Sequence, residues 1–211
     1  MNQNIIKTPA IFLSFDDHHI DNWHRNLEFF EKNNMKVTFY ICYPHKMKDE
    51  AWDKIKEIQL QGHTIGFHGL NHQWAVRALA KYGCQQYLDH EIDKGLNFFK
   101  DQDIKINHFS YPFGNRTTET DNCLFKRFSI LRSTVFGKFC KYSYNITELP
   151  KLKLVFSKSL KVALRSYRNL IGQKNVATFL YSHSFNDEAM NMLLSISKQS
   201  YFYSMESMRC M

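Results

Sequence analysis

The chain has 211 residues, 44% of them apolar, and 28 Lys/Arg against 20 Asp/Glu for a net charge of +8. That length suits one domain with a sizeable core, and no apolar run reaches the ~18 residues a membrane-spanning helix needs. Five scattered cysteines, Cys42, Cys84, Cys123, Cys140 and Cys210, without C-x-x-C spacing, predict reduced thiols rather than a disulfide framework or a thiolate metal site.

In chain order, Met1 to Lys7 lacks a charged-then-apolar leader pattern, so a cytoplasmic protein is expected. Ala10 to Phe15 reads as a buried strand stopped by Asp16-Asp17-His18-His19. Asp21 is placed to cap a helix carrying Trp23, Leu27 and Phe30 and ending near Asn33-Asn34. Lys36 to Ile41 is a second strand. Asp49 to Leu60 is a helix ended by Gly62, and His63 to Phe67 a third strand. Leu88, Ile92, Leu96 and Phe99 form one stripe on a helix from Cys84 to Lys100. Ile106 to Tyr111 is a fourth strand, stopped by Pro112 and Gly114. A helix around Glu119 to Phe125 and a strand around Ser129 to Val135 follow. Gly137 to Lys151 reads as a loop, Leu152 to Phe156 as a strand, and Ser157 to Ile171 as an amphipathic helix with Lys158, Lys161, Arg165 and Arg168 on one stripe. Val176 to Tyr181 is a strand, Asn186 to Lys198 a helix, and Tyr201 to Tyr203 a last strand. Such alternation predicts a parallel sheet with right-handed crossovers, in about seven units or as an open sheet, and a single domain over residues 1–211.

The unusual polar segments fall at strand ends. Asp16-Asp17 follow the first strand, His68 and His72 the third, Pro112-Phe113-Gly114 the fourth, and His183 a late one. A pair of histidines four residues apart can face one point from a helical turn, an arrangement divalent metals favour. In a chain with ten histidines it can also be an accident. In a parallel barrel, however, these strand ends share one face, where active sites are built.

Phe15-Asp16-Asp17, Gly62-His63-x-Ile65-Gly66-x-His68-x-x-x-His72, Tyr111-Pro112-Phe113-Gly114 and Leu180-x-x-His183 resemble, in order, the motif series of the polysaccharide deacetylases (carbohydrate esterase family 4). The resemblance implies a distorted, incomplete (β/α)7 barrel with parallel strands and one divalent metal, usually Zn2+. It implies Asp17, His68 and His72 as metal ligands, a set that leaves a coordination position open. Asp16 would be the general base, the Phe113 backbone N–H an oxyanion donor, and His183 the acid that protonates the departing amine. Tyr111, Pro112, Arg116, Leu180 and Tyr181 would contact substrate. His63 matches a family position that is not a ligand and reads as a structural hydrogen-bonder.

Three departures stand out. His18 occupies a position where the family often has Gly. Ser110 stands where it often has the Arg that holds the base, which leaves Arg116 as the candidate substitute. No Asp lies between Asp121 and Asp187 to support the acid histidine.

Residues 126–174 carry twelve Lys/Arg against Glu148 alone, +11, which leaves −3 for the rest. A basic segment on an acidic body points to an anionic partner or to a solvated surface. The expectation is therefore a metal-dependent hydrolase of an N-acetyl or N-formyl amino sugar. Its substrate would be a phosphate-bearing, nucleotide- or lipid-linked precursor of surface polysaccharide. Peripheral contact with the inner membrane through residues 126–174 is expected, and nucleic acid is not. The alternative is a catalytically impaired deacetylase-like protein that binds sugar or an anionic surface.

Overall fold

The computed structural model describes residues 6–134, 141–164 and 174–209. Seven parallel strands close a ring: β1 (Ala10–Asp17), β2 (Thr38–Ile41), β3 (Thr64–Phe67), β4 (His108–Ser110), β5 (Ile130–Thr134), β7 (Leu154–Ser159) and β8 (Val176–Ser182). Pairing of β8 with β1, from Ala10↔Ala177 to Phe15↔Ser182, seals it. Two short strands wedge into seams at the N-terminal end. β9 (Tyr201–Tyr203) pairs with β1 at Ala10–Phe12, below the β1–β2 pairing at Ser14–Asp17. β6 (Ser143–Asn145) runs antiparallel on β8 at Val176–Thr178, below the β7 pairing at Leu180–Tyr181. The expected α/β barrel of seven parallel strands is thus present, distorted by these two wedges.

Period-two alternation sorts each strand's side chains. Ala10, Phe12, Tyr40, Ile130, Val155, Ala177 and Phe179 point inward and pack with Ile6, Met205 and Met208. Phe12 and Phe179, register partners, stack at 4.8 Å. Ile11, Leu13, Phe15, Phe39, Ile41, Ile65, Phe67 and Phe109 point outward and meet Trp23, Trp52, Ile55, Ile92 and Phe99 from the helices. Each fully buried side chain of this size contributes about 1.5–3 kcal/mol. On the inward face the alternation then delivers Asp16, Ser110 and Arg132 to one end of the barrel, where apolar filling stops.

Several elements differ from expectation. The first helix is two, α1 (Ile20–Arg25) and α2 (Leu27–Lys32), broken at Asn26, and Asp21 lies in its first turn rather than capping it. α3 (Asp49–Leu60) has the expected bounds. The helix expected from Cys84 to Lys100 falls across three segments, α4 (Ala75–Tyr87), a π-helical stretch (Leu88–Asp93) and α5 (Lys94–Lys100), with the Leu88-to-Phe99 stripe on the last two. α6 (Thr118–Leu124) carries a capping box between Thr117 and Thr120. The expected loop at 137–151 holds β6 and a 3-10 turn, Ile146–Lys151. β7 extends to Ser159, and only α7 (Leu160–Leu164) of the amphipathic helix is described; Arg165 and Arg168 lie outside the described residues. α8 (Asp187–Ser197) is capped by the Asn186 side chain.

The cysteines need a correction. Cys84, on α4, and Cys123, on α6, form a disulfide. Their separation of 39 residues has no motif to announce it; packing of α4 on α6 brings them together. Cys42 is a buried free thiol, and Cys140 and Cys210 lie outside the described residues.

Candidate metal and catalytic site

Asp17 ends β1 with a left-handed backbone (φ 84°), which turns its carboxylate across the barrel mouth. His68 follows β3 directly. The path to His72 is not a helical turn: Gly69 (φ 92°) and His72 (φ 53°) fold the loop back so that the second imidazole returns beside the first. His72 Nε2 lies 3.2 Å from His68 Nε2 and 3.3 Å from Asp17 Oδ1, and His68 Nε2 lies 3.6 Å from that oxygen. Ligand atoms about 2.0–2.2 Å from a tetrahedral zinc stand about 3.3–3.6 Å apart, so the three donors fit such an ion. His68 Nδ1 meets the Ser110 carbonyl oxygen at 2.9 Å, a contact that requires the proton on Nδ1 and leaves the Nε2 lone pair for a metal. Burial pushes the His68 pKa down to about 4 and lowers that of His72, so both are neutral donors at neutral pH.

Glu91 fixes the loop between the histidines. Its carboxylate accepts the Asn71 backbone N–H and the Asn71 side-chain amide, each at 2.8 Å. It projects from the π-helical stretch, and burial raises its pKa. A Cβ on Gly69 would approach Glu91 Oε1 to 3.0 Å, so glycine serves both the turn and the contact.

Asp16 faces the barrel interior and has a different partner. Arg132, on β5, donates from Nη2 to Asp16 Oδ1; both side chains are buried. Arg132 also lies against the rings of Tyr40 (5.0 Å) and Tyr181 (5.3 Å). Its register partner on β4 is Ser110, so the guanidinium comes from the neighbouring strand at the level of the position where the resemblance calls for an arginine. Arg116 does not take that role: it forms a bidentate pair with Asp121, with Nε 2.9 Å from Oδ1. The expectation for Arg116 is corrected, and Arg132 takes its place. The sequence signal was a charged residue at an inward position of the apolar strand Ile130-Leu131-Arg132; a charge there requires a buried partner.

Other expected contact residues divide. Pro112 opens the 3-10 turn Pro112–Gly114, in which Phe113 has φ 58° and places an exposed ring 4.6 Å from that of His72. Tyr111 is fully buried and donates its hydroxyl to Asp121 Oδ1 at 2.7 Å, and Leu180 is fully buried in the outer core. Neither side chain lines the mouth, contrary to expectation. Tyr181 is half-buried between Arg132 and His183. His183 follows β8; its Nε2 stands 4.0 Å from Asp17 Oδ2, and its backbone oxygen accepts the Trp23 indole N–H at 2.8 Å. His18 and His19 flank the mouth with near-parallel rings 5.8 Å apart. His63 accepts the Val37 backbone N–H at 3.2 Å between Phe30 and Phe39, a structural place, with its pKa pushed down to about 4 by burial.

Comparison with known proteins then gives three results. The profile of one family, described as polysaccharide deacetylase, matches residues 4–126. A search of curated protein sequences gives no match. Among solved structures, the chain is similar to the peptidoglycan deacetylase PdaC from Bacillus subtilis (13% identity, 99% of this chain and 92% of that one, TM-score 0.64). It is also similar to PdaA from Bacillus subtilis, a family 4 carbohydrate esterase (19%, 96% and 82%, 0.62), and to the polysaccharide deacetylase Bc1974 from Bacillus cereus (16%, 92% and 91%, 0.61). At these identities the likenesses establish the fold.

Proposed function

The chain belongs to the polysaccharide deacetylase family, metal-dependent hydrolases of sugar amides, and from that premise we propose that it removes the N-acyl group of an amino sugar with Asp16 as base. The observation that carries the reading is the divergence of two adjacent carboxylates. Asp17 turns to His68 and His72, and Asp16 turns away from them to Arg132. One strand end thus supplies a ligand and a group left over for proton transfer.

Asp17, His68 and His72 would hold a divalent ion, zinc in our proposal, which would supply a Lewis acid for the amide carbonyl. Arg132 keeps Asp16 oriented, ready to take a proton from the attacking water. The tight turn at Phe113 brings a backbone N–H to the mouth for the developing oxyanion; such a donor is worth about 3 kcal/mol where one has been removed. His183, on the other side of Asp17, delivers a proton to the leaving amine. Asp16→Asn tests the assignment: metal content should stay stoichiometric while kcat falls about 10²–10⁴-fold. An unchanged kcat refutes Asp16 as base.

For the substrate we propose a phosphate-bearing precursor, nucleotide-linked rather than finished polymer, for surface polysaccharide. The basic segment supports this only in part, since Arg127, Arg132, Lys141 and Lys161 are paired with Asp93, Asp16, Glu148 and Glu188. Equal kcat/KM on nucleotide-linked and neutral N-acetyl sugars would sink the idea, and separating acetate from formate identifies the acyl group. A cytoplasmic setting remains a proposal against which the Cys84–Cys123 disulfide counts, because such bonds persist in oxidising compartments. Alkylation of thiols in freshly lysed cells decides it.

A further inference from the structure

A groove of about 450 Å³ leaves the candidate site at His72 and runs along the exposed side of α4. That volume lies within the range of small-molecule sites. Its walls hold Phe113, Trp74 and Tyr82, three of the seven large apolar side chains that the described residues expose. Its charged lining is Arg77 and Lys81, with no acid among the lining residues. Trp74 is the N-cap of α4, and Arg77, Lys81 and Tyr82 follow it at helical spacing, so the start and one face of α4 present them all.

The order along the groove is specific. From the metal ligands outward it reads Phe113 and Trp74, whose rings are 5.5 Å apart, then Arg77, then Lys81, then Tyr82. Trp74 to Tyr82 spans about 12 Å of helix axis at ~1.5 Å per residue. The Arg77 guanidinium is held over the Trp74 ring at 4.1 Å, which restrains it before any ligand arrives. Lys81 lies over the Tyr82 ring at 4.7 Å. Two restrained cations between two aromatic stations match a ligand made of a ring, an anionic link and a second ring.

We propose that this groove is the subsite for the diphosphate and nucleobase of a nucleoside-diphosphate-linked N-acyl amino sugar. The sugar rests at Phe113 and Trp74 with its acyl group toward the candidate metal. The diphosphate meets Arg77 and Lys81, and the base stacks on Tyr82. This inference rests on the deacylase reading for the chemistry, but not for the binding.

Trp74 reports on the groove directly. Trp23 and Trp52 are 0% and 5% exposed, whereas Trp74 is 39% exposed. Titrating the metal-loaded protein with UDP should quench its fluorescence to saturation, and Arg77→Ala and Tyr82→Ala should each weaken the apparent Kd at least tenfold. In the same variants the ratio of kcat/KM for UDP-linked over neutral N-acetylglucosamine should fall at least tenfold. Tyr82 is the informative position, because UDP bound merely through the metal would not sense it. No quenching by UDP, or a Kd indifferent to both substitutions, overturns the proposal. So does quenching by an acidic disaccharide, lost in the variants, with none by UDP. Quenching as expected with no acyl release from any sugar would instead reject the deacylase reading and leave the groove assignment standing.

Discussion

His68 and His183 both stand at C-terminal ends of barrel strands and both lie within 4.0 Å of Asp17, yet they are built differently. The His68 side chain is 3% exposed and its Nδ1 is bound to the Ser110 carbonyl oxygen. The loop beyond it is tied to Glu91, and the neighbouring carboxylate Asp16 is tied to Arg132. The His183 side chain is 55% exposed, and among the described residues its ring is paired with no carboxylate other than Asp17. One side of the mouth is fixed before anything binds, and the other leaves its imidazole free to reorient. Preorganisation matters most where donors must converge on an ion. A proton donor can be aligned by the substrate it serves, since catalytic hydrogen bonds often tighten only in the complex.

The largest effect expected from this contrast is on the fixed side. His68→Ala and His72→Ala should each strip the protein of metal and lower kcat/KM well beyond the ~10–100-fold that loss of an outer-shell partner produces. Glu91→Gln, which removes only the loop tie, should fall within that range. Metal analysis alongside kinetics reads both. If the two histidine variants keep stoichiometric metal, the fixed side is not a metal centre and the contrast dissolves.

Arg132 comes next. Arg132→Met leaves the Asp16 charge buried without its partner, which should cost about 3–5 kcal/mol in urea denaturation and lower kcat with metal retained. Ser110 points into the same space, is fully buried, and its hydroxyl has no hydrogen-bond partner among the described residues. The exchange Ser110→Arg with Arg132→Ser should therefore restore both turnover and stability relative to Arg132→Ser alone. Rescue of stability without rescue of kcat would reduce Arg132 to a structural counter-ion.

The same contrast explains what could be read in the chain. Asp16-Asp17, His68, His72, Phe113 and His183 were legible because each is a polar break at the end of an apolar strand, and a parallel barrel gathers such ends on one face. The ties that fix them were not. Arg132 meets Asp16 only because closure of the ring lets β5 face β1 across the interior, and no local pattern encodes that distance. Glu91 sits beside the Leu88–Ile92 stripe, and a 3.6-residue period cannot foresee the π-helical stretch that aims it at Asn71. Tyr111 lies inside a motif, yet its hydroxyl is buried on Asp121, because adjacency in sequence does not secure adjacency in space.

The smallest effect expected is on the open side. His183→Gln keeps a polar side chain and leaves in place the backbone oxygen that Trp23 uses, so stability should move by no more than about 0.5 kcal/mol. Metal content should not change, because the ring is 4.0 Å from Asp17 and outside the cluster of close donors. Turnover should fall about 10²-fold, the low end for losing a general acid. The low end is expected because water can reach the exposed position and protonate the amine in its place. A substrate with a better leaving group needs that proton less, so the penalty should shrink further on an activated anilide than on an alkyl amide. An equal penalty on both would mean that His183 acts on binding or on the carbonyl rather than on the departing nitrogen. Loss of metal in this variant would place it with His68 and His72 on the fixed side.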